Sequence, residues 1–155
     1  MRAAVLTVSD GVASGSREDT SGAVLAERAA SAGFEVVERR TVADERDQIA
    51  GALEQLAGLA ELVLTTGGTG FAPRDVTPEA TRAVLDREAP GLAEALRLFN
   101  RDKVPTTILS RAVAGVAGST IVVNLPGSTS GVRDGVAVLA PVIGHAVVQL
   151  RGGDH

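Results

Sequence analysis

The chain contains no cysteine, tryptophan or tyrosine, and only three phenylalanines. Without cysteine, disulfides, thiolate nucleophiles and thiolate zinc sites are excluded. So few aromatics leave little surface on which nucleic-acid bases can stack. A net charge of −4 gives a phosphate backbone no general attraction. Lysine is nearly as scarce, with Lys103 the only one. No run approaches the ~20 apolar residues that a bilayer span requires. Nor does the N-terminus show a basic segment followed by an apolar stretch and a cleavage site. These absences lead to the expectation of a soluble, cytoplasmic chain with neither nucleic acid nor membrane as partner.

What is present fits one domain over residues 1–155. Hydrophobic residues make up 45% and charged residues 22%, and a chain this long buries roughly 70% of its unfolded surface. Apolar runs alternate with helical patterns, which predicts an α/β fold with a mostly parallel sheet. Strands are expected at Ala3 to Val8, Phe34 to Val42 and Leu62 to Thr66, with extended segments at Thr106 to Ser110 and Ser119 to Val123. Residues 14–20 read as a loop. Helices are expected from Thr20 or Ser21 to Gly33, from a cap at Asp44 to about Ala57, and from a cap at Thr77 with Pro78 in the first turn. A further helix carries Leu92, Leu96 and Phe99, and a last one runs from about Val132 to Leu150 despite Pro141 and Gly144.

The stretch Thr66-Gly67-Gly68-Thr69-Gly70-Phe71-Ala72-Pro73-Arg74-Asp75-Val76-Thr77-Pro78 carries the most chemistry. Glycines at a strand end let backbone N–H groups approach an anion closely, because no Cβ intervenes. An aspartate a few residues on can hold a divalent cation against that anion. A P-loop is excluded, since no lysine is near, and Pro73 stands where the dinucleotide fingerprint needs glycine. In an open parallel sheet, ligands bind beyond the carboxyl ends of the strands. Ser9-Asp10, Asp44, Gly67 to Asp75 and Asn124 to Ser128 all follow expected strands. Each also has a plain alternative: Asp44 as a helix cap, Asp75 as a partner of Arg74, Asp10 and Asn124-Leu125-Pro126-Gly127 as turn residues. Asparagine before Pro-Gly at a strand end can equally present its amide to a ligand. His145 is expected to be packed or at the surface, and His155 solvated. Two histidines and no Gly-x-Ser-x-Gly match make a serine-hydrolase triad a weak reading.

Taken together, Thr66 to Thr81, Leu109-Ser110-Arg111, Gly118-Ser119-Thr120, Asn124-Leu125-Pro126-Gly127 and Gly144-His145-Ala146 resemble the MogA/MoaB family of molybdenum-cofactor biosynthesis proteins. The resemblance extends over essentially the whole chain, and Arg-Asp-Val-Thr-Pro resembles the MogA branch. It implies a three-layer α/β/α sandwich, usually trimeric. It also implies molybdopterin adenylyltransferase activity: AMP passes from ATP to the terminal phosphate of molybdopterin, pyrophosphate leaves, and magnesium assists. A molybdenum-insertion enzyme acts downstream. The family's two important aspartates fall on Asp44 and Asp75, as catalytic and magnesium-binding residues, and its pterin-side serine falls on Ser110. The expected substrate-binding set is Ser9, Asp10, Gly67, Gly68, Thr69, Gly70, Ser110, Asn124, Pro126 and Gly127. Asn100 and Ser128-Thr129-Ser130 depart from some members of the family. Two other readings share the same residues: a MoaB-like paralogue that binds pterin or nucleotide without adenylylation, and an oligomeric scaffold module.

Overall fold

Both faces of the central strands are apolar, so the sheet they form must be covered on both sides. A computed structural model describes residues 1–153; His155 lies outside the described residues. The strands are β1 (Arg2–Val8), β2 (Glu35–Val42), β3 (Leu62–Thr66), β4 (Arg87–Glu88), β5 (Ala114–Ala117) and β6 (Thr120–Leu125). They form one sheet in the order β2-β1-β3-β6-β5-β4. β2, β1, β3 and β6 pair in parallel, while β5 and β4 add an antiparallel edge.

Side chains alternate across a strand, and here each set finds its own core. Ala3, Val5, Leu62, Leu64, Ile121 and Val123 pack beneath α2 (Thr20–Ser31), α5 (Pro90–Leu98) and α6 (Thr129–Leu150). Ala4, Leu6, Val8, Val63 and Val122 face α3 (Arg46–Ala57) and α4 (Thr77–Val84). The architecture is the expected three-layer α/β/α sandwich. Full burial of a Leu or Val side chain contributes ~1.5–3 kcal/mol, and Leu6, Leu25, Leu53, Leu64 and Val122 are among those sealed from solvent.

Several local expectations are corrected. A short helix, α1 (Asp10–Ala13), follows β1 directly, capped by the Ser9 hydroxyl, which accepts from Val12 N. Asp19, not Thr20 or Ser21, caps α2, accepting from Gly22 N at 3.0 Å. Glu45 holds the cap position of α3, so Asp44 is freed from that task. Thr77 lies inside α4, and its hydroxyl donates to Gly67 O at 3.0 Å instead of capping. Residues 105–109 wind into a 3₁₀ turn, not an extended segment, as Thr107 Oγ1 donates back to Arg97 O. Phe99 falls just beyond α5. The antiparallel strands β4 and β5 have no counterpart in the sequence reading.

α6 is 22 residues long and apolar enough, by length and composition, to cross a bilayer, contrary to the expectation that nothing here would be. Val132, Val136, Leu139, Ile143 and Val147 on its inner face are buried in the core. At the opposite end of the sheet from the strand carboxyl ends, Glu61 gathers both ends of the described chain. It accepts from Arg2 N and Arg2 Nη2, and pairs with Arg151. These bonds, led by the Arg2 backbone N–H, hold its carboxyl down to about 2.

Candidate functional site

The loop leaving β3 is fastened to its neighbours by backbone. Gly67 N donates to Leu125 O at 3.2 Å, Thr77 N to Gly68 O at 3.1 Å, and Thr66 Oγ1 to Pro126 O at 2.8 Å. Gly67 and Gly68 have φ of +99° and +69°, a region that side chains with a Cβ rarely adopt. A Cβ on Gly67 would lie 2.2 Å from Val8 O, and one on Gly68 would lie 2.2 Å from Thr77 Oγ1 and 3.2 Å from Asp44 Oδ1. Both glycines are therefore required by the close approach of β1, β2 and α4 to this loop.

Two concavities flank the loop. One, of about 410 Å³, is a polar cleft lined by Ser9, Asp44, Gly67, Gly68, Asp75 and Gly127, together with Thr7, Arg17, Glu18, Thr20, Ser21 and Thr129. The other, of about 290 Å³, is lined by Thr69, Gly70, Ser110, Asn124 and Pro126, with Leu96, Phe99, Val104, Leu109, Ser128 and Asp134. The expected site residues thus gather on both sides of one loop at the carboxyl ends of β1, β2, β3 and β6.

The carboxylates in the cleft are positioned by main chain. Asp10 N donates to Asp44 Oδ2 at 2.8 Å, and Asp44 N donates to Asp10 Oδ1 at 2.9 Å, a reciprocal pair that ties the ends of β1 and β2 together. Asp75 Oδ2 accepts from Ala72 N at 2.9 Å, folding the loop back on itself. Arg74 does not pair with Asp75. Its Nε donates to Asp10 Oδ2 at 2.6 Å and its Nη2 to Glu45 Oε1 at 3.1 Å. These are half-exposed pairs of modest worth, yet they set the charges. The Arg74 hydrogen bond and the Asp44 N–H hold the Asp10 carboxyl below the usual range. Asp44 is pushed the other way, first by burial and then by the negative charges of Asp10 and Asp75, which outweigh the Asp10 N–H and Arg74. Its shift records burial first, with the neighbouring negative charges adding to it.

Asn124 corrects an expectation. Its side chain is fully buried, accepting from Val113 N at 3.1 Å and donating to Thr65 Oγ1 and Thr81 Oγ1 at 3.0 Å. With both amide protons and the oxygen committed inside, it presents no amide to a ligand; it locks β6 to β3, α4 and the approach to β5. Asp10 likewise faces Arg74 and Asp44 and is outside the cleft lining. Arg17, Glu18 and Thr129 in the cleft, and Asp134 in the pocket, join the site without any motif in the sequence to mark them. Asn100, at φ +61°, donates from Nδ2 to Asp134 Oδ2 at 3.1 Å, pinning the end of α5 to α6. Arg111, beside Ser110 in the Leu-Ser-Arg motif, donates to the carbonyls of Gly70 and Asp75. The motif was legible; this role was not.

A family model described as a probable molybdopterin binding domain matches residues 4–145. Over 155 residues the chain is 41% identical to a molybdenum cofactor biosynthesis bifunctional protein of Chlorobaculum tepidum, covering 99% of this chain and 50% of that one. It is 38% identical over 152 residues to a molybdopterin adenylyltransferase of Helicobacter pylori, covering 96% and 86% respectively. The crystal structure of the molybdopterin biosynthesis enzyme MoaB from Thermus thermophilus superimposes with a TM-score of 0.92 at 47% identity, covering 97% of this chain and 96% of that one. The chain spans half or less of the longer curated relatives that it matches. The glycine loop, the paired aspartates beside it and these likenesses meet in one conclusion: the chain belongs to the MogA/MoaB family of molybdenum-cofactor biosynthesis proteins.

Proposed function

We propose that this chain is a molybdopterin adenylyltransferase that transfers AMP from ATP to the terminal phosphate of molybdopterin. A phosphate oxygen of molybdopterin bonds to the α-phosphorus of ATP, the bond from that phosphorus to the bridging oxygen breaks, and pyrophosphate leaves. Such a transfer needs positioning and charge neutralisation more than covalent help from the protein. The observation that carries the reading is the pairing of Asp44 and Asp75 in a polar cleft whose floor is the Gly67-Gly68 backbone. The Helicobacter relative's name supports the same activity.

The donor set fits magnesium completed by substrate. Among the described residues no group of three or more Asp, Glu, His or Cys can enclose a metal alone. Magnesium is commonly held by one or two carboxylates together with substrate phosphates, and Asp44 and Asp75 would supply the two. When bound, the ion would neutralise charge on the phosphates. The Gly67 and Gly68 backbone approaches the phosphates, and Ser110 with Pro126 receives the pterin on the other side of the loop. The exposed apolar face of α6, with Val142 46% and Val148 42% open to solvent, supports self-association, and the family resemblance implies that the assembly is a homotrimer. The product would pass to a molybdenum-insertion enzyme.

The test is pyrophosphate release with molybdopterin, ATP and magnesium. Release that requires all three is expected. Nucleotide or pterin binding without release would replace this reading with the non-adenylylating paralogue. Light scattering should report three times the chain mass of 15.7 kDa.

A further inference from the structure

Arg111 holds the loop between the two concavities from outside both. Its backbone N–H donates to Thr69 O at 2.8 Å. Its Nε donates to Gly70 O at 2.8 Å and its Nη2 to Asp75 O at 2.7 Å, while Nη1 meets the Glu79 carboxylate in the first turn of α4. One residue therefore grips the loop at its entry, at its exit and at the helix that follows. Between those grips residues 71–74 are all exposed; the Asp75 carboxylate ties only Ala72 within the loop, and Arg74, a further tether, is itself half in water. The planar guanidinium can serve two carbonyls and a carboxylate at once, which the single ammonium of lysine does less well. Glu79 stabilises the arrangement in return, and the Arg111 hydrogen bond holds its carboxyl below the usual range.

The grip bears on both concavities. Asp75, whose carbonyl Arg111 holds, is part of the cleft lining. Gly70 lies in the pocket lining, and a Cβ there would come within 2.8 Å of Asp75 Oδ2. Ser110, the residue preceding Arg111, lies in that lining as well. The Arg111 segment is thus joined to Asp75 by direct hydrogen bonds to the loop's main chain.

We propose that Arg111 is a positioning residue for the transfer reaction, setting the Asp75 carboxylate beside Asp44 and linking the glycine-loop cleft to the Ser110 pocket. Arg111 lies outside both linings, and the proposal rests on the adenylyl-transfer reading above.

The test compares Arg111→Lys, which keeps the charge but loses the fork, with Glu79→Gln, which leaves the guanidinium and weakens its outer anchor. For Arg111→Lys, kcat should fall at least tenfold with KM for molybdopterin within about twofold, and half-saturating magnesium should rise at least threefold. Exchange of the Ala72 and Asp75 backbone amides, the two hydrogen-bonded within the loop, should accelerate at least tenfold while β3 and α4 keep their protection. Glu79→Gln should show the same pattern, weaker. Wild-type loop exchange in either folded variant overturns the proposal, as does a loss confined to KM, which would make Arg111 a substrate contact. Should the wild-type protein release no pyrophosphate, the functional reading fails, while the exchange measurement still judges the grip on its own.

Discussion

In the cleft above Gly67 and Gly68 the walls are mostly backbone and short polar side chains, and the Asp44 and Asp75 carboxylates are each held by a main-chain N–H. Around Ser110 the walls include Leu96, Phe99, Val104 and Leu109, the last three substantially open to water. One side places fixed charge; the other offers an adaptable apolar surface with a few polar groups. Electrostatic preorganisation belongs to the first kind of wall, because fixed dipoles need no rearrangement as charge develops. Substitutions in the cleft should therefore damage the rate, and substitutions in the pocket should damage binding.

The sharpest test of that division is Asp75→Asn or Asp44→Asn. Each should lower turnover by at least ~100-fold, about 3 kcal/mol of barrier, with little change in melting temperature. Since Glu45 occupies the cap position of α3, a large fall in stability for Asp44→Asn would contradict the structure. Next comes Gly68→Ala, which puts a Cβ into the Thr77 hydroxyl and a side chain at φ +69°. Nucleotide affinity by calorimetry should drop at least tenfold in a protein that still melts cooperatively; unchanged affinity would reduce the loop to a connector.

Ser110→Ala should invert the pattern, raising KM for molybdopterin about tenfold while kcat changes less than threefold. A pure kcat effect there would erase the distinction between the two walls. The smallest effect is on pH. Asp44 has a raised carboxyl pKa, so any stability it confers belongs to the protonated form and is lost as pH rises through its folded value. Its ionised form is the one a cation needs. Magnesium-dependent nucleotide affinity should therefore fall as pH drops through a midpoint above the ordinary aspartate value of 3.8, and a midpoint at or below that value would refute the burial argument.

The two regions also differed in how legible they were. Gly67, Gly68, Asp44 and Asp75 announce themselves because their task is local: a glycine where φ is positive, a carboxylate just beyond a strand. The pocket depends on long-range packing. Thr106-Thr107-Ile108 is β-branched and reads as extended, yet Pro105 and the bond from Thr107 to Arg97 wind it into a turn. β5 is Ala-Gly-Val-Ala, too plain to declare itself until β6 lies beside it. Asn124 was found by its place at a strand end, but only its burial among Val113, Thr65 and Thr81 shows which way the amide turns.

Glu61, clasped by Arg2 and Arg151, has a consequence for modular architecture. Chain ends that lie close together make a domain easy to splice into a longer polypeptide. Here both ends of the described chain meet just before β3, at the end of the strands away from the glycine loop. Fusion partners joined at either end would share one corner and leave the rim around the glycine loop unobstructed. In keeping with this, the matching stretch makes up 86% of the Helicobacter protein and 50% of the Chlorobaculum protein.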